Sequence, residues 1–162
     1  MKHMIPALMA VGLVAGSAHA TVHILSAAAD GMQEVPQVVT DGFGTFSITL
    51  DDVTGEISIT GEVFDLTGTM VDAHLHGFAA PGANAGVLFH LAFPAGQTSG
   101  VVTGNAILTP TQVAGVLDGL SYVNIHTTFR TSGEIRGQVL LVPAPAAASL
   151  LLGTLLISRR RR

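Results

Sequence analysis

Apolar and polar positions alternate with a period of two through most of the chain. From Gly44 to Leu50, Phe46, Ile48 and Leu50 oppose Thr45, Ser47 and Thr49; from Glu56 to Val63, Ile57, Ile59 and Val63 oppose Glu56, Ser58, Thr60 and Glu62. Successive side chains of a strand point to opposite faces, so each stretch predicts a strand with one face in a core. The acids and glycine of Asp51-Asp52-Val53-Thr54-Gly55 suit a tight connection and make the two a hairpin. The same reasoning predicts strands at Val71–His76, Val87–Phe93, Gly100–Leu108, Tyr122–Thr127 and Glu134–Leu140. One short helix interrupts them, capped by Thr109, with Pro110 at its first position and Asp118-Gly119 ending it. Short strands separated by turn signals predict an all-β sandwich or barrel. Its expected core is Phe46, Ile48, Ile57, Ile59, Val71, Leu75, Phe89, Val123, Ile125, Ile135 and Val139.

The alternation also places the histidines. In Val71-Asp72-Ala73-His74-Leu75-His76-Gly77, His74 and His76 point away from Val71, Ala73 and Leu75; His126 points away from Val123 and Ile125, and His90 away from Phe89 and Leu91. Two readings stay open: polar positions on the solvated face of a sheet, or one cluster of imidazoles. Same-face residues two apart on a strand lie about 6.5 to 7 Å apart at Cα, so two imidazoles can converge on one ion while a neighbouring strand brings a third. The expected metal ligands are therefore His74, His76 and His126, with His90 as a fourth. Asp72 shares their face and can orient an imidazole. Imidazole suits copper and zinc, and a nitrogen site without thiolates favours Cu²⁺, so copper is the cofactor if the imidazoles cluster, and none is expected if they do not.

Other chemistry finds little support. Ser47 and Ser58 have no histidine near them in sequence, and no nucleophile elbow, phosphate loop or nucleotide fingerprint occurs, so no catalytic residue is assigned and no enzyme is expected. Asp51 and Asp52 read as solvated loop acids. Glu134 and Arg136 read as a cross-strand ion pair.

Both ends read as devices separate from this domain. Lys2 precedes an apolar run from Met4 to Val14, and Ala18-His19-Ala20 suits a signal peptidase, so residues 1–20 are read as a signal peptide and the protein as exported through the inner membrane. With no cysteine, the domain must hold without disulfides. At the other end, Val142-Pro143-Ala144-Pro145 leads to an apolar stretch, Ala146 to Ile157, read as a short hydrophobic helix, and four arginines. The run from Ala144 to Ser158 covers about 22 Å of a hydrocarbon core of about 30 Å, so it engages the membrane transiently, its arginines held on the cytoplasmic side. Residues 21–142 remain as one domain. They carry all eleven acidic residues but only Arg130 and Arg136 among the basic ones, a net charge of −9. Such a surface repels nucleic acid and attracts cations.

Several motifs add a resemblance. Gln33-Glu34-Val35-Pro36, Gly42-x-Gly44-Thr45, Ala73-His74-Leu75-His76-Gly77, Tyr122-Val123-Asn124-Ile125-His126-Thr127 and Gly133-Glu134-Ile135-Arg136-Gly137-Gln138-Val139 together resemble the CHRD domain first described in chordin. The resemblance implies an immunoglobulin-like β-sandwich in an extracellular protein, without an established enzymatic activity. Residues 143–162 resemble the PEP-CTERM sorting signal, although Ala144 stands where that signal has glutamate. That implies an exosortase-like protease as processing partner. The expected protein is a cell-surface or extracellular-matrix binder whose partner is a polysaccharide or a protein; the alternatives are a copper-binding protein or a redox metalloenzyme.

Overall fold

A computed structural model describes residues 20–143. All but the last residue of the expected signal peptide and all but the first of the expected sorting segment lie outside them. The strands are β1 (Val22–Asp30), β2 (Phe43–Asp51), β3 (Glu56–Phe64), β4 (Met70–Gly77), β5 (Val87–His90), β6 (Gly100–Ile107), β7 (Ser121–Thr127), β8 (Ile135–Gln138) and β9 (Leu140–Leu141), with one helix, α1 (Pro110–Leu117), between β6 and β7. They form one antiparallel sheet in the order β5-β4-β7-β8-β1-β2-β3-β6, with β9 also on β1. Beyond β5, a bridge between Ala92 and Thr103 brings the two outer strands together, so the sheet curls into a nearly closed barrel. This is the all-β architecture that the alternation predicts.

The hairpin of β2 and β3 pairs in continuous register from Phe43–Phe64 to Leu50–Ile57, which keeps Phe46, Ile48, Leu50, Ile57, Ile59 and Val63 inside. Gly61 lies opposite Phe46, and a Cβ there would fall 2.2 Å from the Phe46 ring, so the glycine makes room for the aromatic. Helix α1 has the expected cap: Thr109 accepts from the Gln112 amide while the Gln112 side chain accepts from the Thr109 amide. Its Val113 and Val116 join the core.

Three expectations need correction. Strand β1 was not among those predicted, because two of its three buried positions are alanines, Ala27 and Ala29 beside Leu25, and its exposed face carries the apolar Ile24 and Ala28, so the alternation has little contrast. Val71 is 45 % exposed rather than buried. Met70 pairs with Thr127 and Asp72 with His126, so Val71 is an extra residue in β4, a bulge that turns Met70 inward and Val71 outward. The strand expected to reach Phe93 ends at His90, and Phe89 is only partly buried, packed against the core.

The other face of β4, β7 and β8 is the feature that matters for function. It is polar, yet it is buried: Tyr122, Asn124, Arg136 and Gln138 all lie beneath two loops, residues 31–38 and 78–86. Gln138 Nε2 donates to Ala79 O at 3.0 Å, and Arg136 Nη1 donates to Ala83 O at 2.8 Å. The Ala85 amide donates to the Tyr122 hydroxyl at 3.0 Å, and Asn84 Nδ2 ties the second loop to the first through Val35 O at 3.0 Å. Buried polar groups need partners, and here Tyr122, Arg136 and Gln138 find theirs in the loop backbone.

Candidate functional site

The four histidines assemble at one edge of this polar layer. β4 pairs with β7 so that His74 lies opposite Asn124 and Asp72 opposite His126, and with β5 so that His74 lies opposite His90. The register therefore converges three strands on His74. His74 and His76 are buried, at 7 % and 9 % exposure, which sets aside the reading of solvated polar positions for these two. His126 is half-buried and His90 exposed.

Distances give the cluster its chemistry. His74 Nδ1 is 3.0 Å from His126 Nε2, and His74 Nε2 is 3.0 Å from His90 Nδ1. Ligand atoms of His74, His76 and His126 all lie within 4.8 Å of one another, as do those of Asp72, His74 and His90. His126 Nδ1–H donates to Thr131 O at 2.9 Å, and His76 Nδ1–H donates to Ala85 O at 3.0 Å. Each of those bonds fixes its tautomer and leaves Nε2 as a lone pair. His126 Nε2 faces His74, but His76 Nε2 is buried with no hydrogen-bond partner. One proton can be shared between His74 and His126, and it leaves His76 unsatisfied in either position.

The surroundings favour neutral rings. Burial is the largest effect holding His74 below the ordinary histidine range; the charges of His126, His90 and His76 add to it, and Asp72 opposes it. Burial likewise lowers His76, against the Ala85 carbonyl that accepts its proton. Asp72 Oδ1 is 3.1 Å from His74 Nε2 and 3.4 Å from His90 Nδ1. Partial burial pushes that carboxyl up, but the Ala73 amide and the two histidines outweigh it and leave it below its ordinary value. Neutral imidazoles with lone pairs turned inward, beside a carboxylate, form a donor set for a transition metal ion.

Arg136 and Glu134 do not pair. Alternate residues at one strand end, they enter different networks. The Arg136 guanidinium lies 3.5 Å from the Tyr122 ring centroid, and Tyr122 stacks on His76. Glu134 is fully buried, and its carboxylate accepts from Thr40 Oγ1, the Thr67 and Gly68 amides and Thr127 Oγ1. It organises a turn and not an ion pair. Tyr122 and Ala85, which position His76, carry no sequence signal of that role beyond Tyr122 sharing a strand face with His126.

A family model, that of the CHRD domain, matches residues 25–139. That span runs from the core position Leu25 to Val139 and includes every residue of the histidine cluster. No curated protein and no solved structure matches the chain.

Proposed function

Because the chain belongs to the CHRD domain family, we propose that it is an extracellular binding protein, not an enzyme, and that it holds a transition metal ion, copper foremost, on His74, His76 and His126. The family supports the extracellular setting. The metal rests on one observation above the rest: His76 Nε2 is a buried lone pair with no partner, converging with His74 and His126. A structure leaves such an atom unpaired only at a cost of about 1–3 kcal/mol, which a ligated cation removes. Three imidazoles without thiolates favour Cu²⁺ over Zn²⁺. His90, which its strand facing offered as a fourth ligand, faces the outer nitrogen of His74.

Sorting belongs to the same proposal. The signal-peptide pattern of residues 1–20 and the PEP-CTERM-like tail fit export, handling by an exosortase-like protease and placement at the cell surface or in the matrix. Among the described residues no helix is long and apolar enough to cross a membrane; the tail lies outside them. The acidic surface suits a polysaccharide or protein partner met through bridging cations.

The test is titration of Cu²⁺ into the untagged protein, followed by paramagnetic resonance. One tight equivalent with nitrogen hyperfine structure is expected, abolished in His76→Ala and in His126→Ala. Binding unchanged in either variant overturns the site.

A further inference from the structure

His74 is the one residue common to both ligand groups, and its two ring nitrogens face opposite ways into them. Nδ1 looks inward to His126, with His76 beside it. Nε2 looks outward to His90 Nδ1 at 3.0 Å and Asp72 Oδ1 at 3.1 Å. The rings of His90 and His126 are steeply inclined to that of His74, with centroids 4.4 Å and 4.8 Å away, so neither is stacked parallel on it.

We infer that the cluster is a two-metal centre in which His74 bridges an inner ion, held with His76 and His126, to an outer ion held with His90 and Asp72. This rests on the reading of the inner site given above. With the inner ion on Nδ1, the single proton of the His74 ring must sit on Nε2. There it meets a histidine nitrogen and a carboxylate oxygen together, and it can make a linear hydrogen bond to only one of them. A second divalent cation takes the place of that proton, which leaves to solvent, and is met by all three ligand atoms at once. His74 then carries a negative charge shared between the two ions.

The two positions differ in access. The inner one is the more enclosed: His74 and His76 are buried, and His76 is covered by Ala85 and Tyr122. The outer one is open, because His90 is 71 % exposed and Asp72 is 40 % exposed at the side chain. His90 also lines a cleft of about 310 Å³ at the seam between β5 and β6, whose other walls include Ser58, Thr60, Thr103 and Asn105. Three protein ligands leave coordination positions for water or for a small oxygen-donor molecule entering by that cleft. The inner ion is structural in character, and the outer one is exchangeable.

The experiment is copper titration of the untagged protein with metal content and spin counted at each step. Two equivalents are expected, the second weaker. As the second enters, the paramagnetic signal should fall below the spin count for two ions, because copper ions sharing one imidazole ring couple antiferromagnetically. Zn²⁺ as the second ion should leave the first copper signal at full intensity. His90→Ala and Asp72→Asn should each lose the second equivalent and keep the first. A first equivalent with no second, or a second that survives both substitutions, overturns the outer site. Two equivalents with additive, uncoupled spins overturn the bridge. Failure of the first equivalent in the native protein overturns the inner site itself, and the two-metal centre with it.

Discussion

The imidazole of His76 lies flat on the ring of Tyr122, with centroids 4.8 Å apart and planes 5° from parallel. On Tyr122 the Arg136 guanidinium also rests, 3.5 Å from the ring centroid. The stack and the bond to Ala85 O together leave His76 one orientation, the one that aims Nε2 at His74 and His126. Groups that orient a ligand typically affect metal affinity by about 10- to 100-fold. Tyr122→Leu should weaken copper binding by about that factor in a competition titration. Tyr122→Phe keeps the stack and loses the hydroxyl that accepts from the Ala85 amide at 3.0 Å, so it should weaken binding less and cost about 1 kcal/mol of stability. Equal affinity in Tyr122→Leu would show that the stack does not position the ligand.

The bulge in β4 separates two apolar residues that strict alternation would put on one face. Leu75 is fully buried and Val71 is not. Leu75→Ala should cost about 2–5 kcal/mol in denaturant unfolding, whereas Val71→Ala should stay within about 0.5 kcal/mol. A comparable loss from both would put Val71 back in the core.

Glu34 gives stability a pH dependence. Burial lifts its carboxyl to about 7, against the lowering pull of Asn124, the Arg136 charge and the Val35 amide. Its Oε1 has no partner and Asn124 Oδ1 has none either, so a proton on the carboxyl is the missing donor in this corner. An acid whose folded pKa is raised binds its proton more tightly in the native state. Its contribution is full below the ordinary value of 4.5 and is lost as pH rises through about 7. Glu34→Gln should remove that loss and be more stable than the native protein at pH 8 by on the order of 1–2 kcal/mol. Melting temperatures of the two proteins from pH 5 to 8 check it. Their difference isolates Glu34 from His74 and His76, whose lowered values tilt stability the other way below 6.5. Parallel curves would refute the assignment.

Glu134 acts in the opposite direction and a different window. Burial raises its carboxyl, but hydrogen bonds from Thr127, Thr40 and the Thr67 and Gly68 amides outweigh burial and hold it below 4.5. A depressed acid stabilises the fold above its unfolded value, and that stability is lost as pH falls through the folded one. Glu134→Gln puts an amide donor among groups that themselves donate and should cost on the order of 3 kcal/mol at pH 7. It should also flatten the acid limb of unfolding below pH 4.5. A stability equal to the native protein's would mean that the turn does not depend on the charge.

The amino-acid sequence by itself determined most of the elements and the facing of their regular stretches. Period-two alternation in β2 and β3 is a local property, set by the pleat, and it reads directly as a hairpin with Phe46, Ile48, Ile57 and Ile59 inside. The Thr109 cap and Pro110 are local too. So is the rule that placed His74, His76 and His126 opposite Ala73, Leu75 and Ile125. Tertiary structure decided whatever depends on a partner strand or a covering loop. The bulge at Val71 exists because β7 offers one residue where β4 offers two, which no pattern within β4 records. Alternation says which face a histidine takes but not what lies over that face; here loops 31–38 and 78–86 bury it, so a face that reads as solvated is a second, polar interior. Only that covering desolvates His74 and His76, lifts Glu34 to about 7 and leaves His76 Nε2 without a partner. Likewise, Glu134 and Arg136 are two residues apart in sequence, yet three-dimensional packing gives one to the Thr40–Thr67–Thr127 turn and the other to Tyr122. Charge complementarity alone cannot choose between partners that only the closed barrel brings within reach.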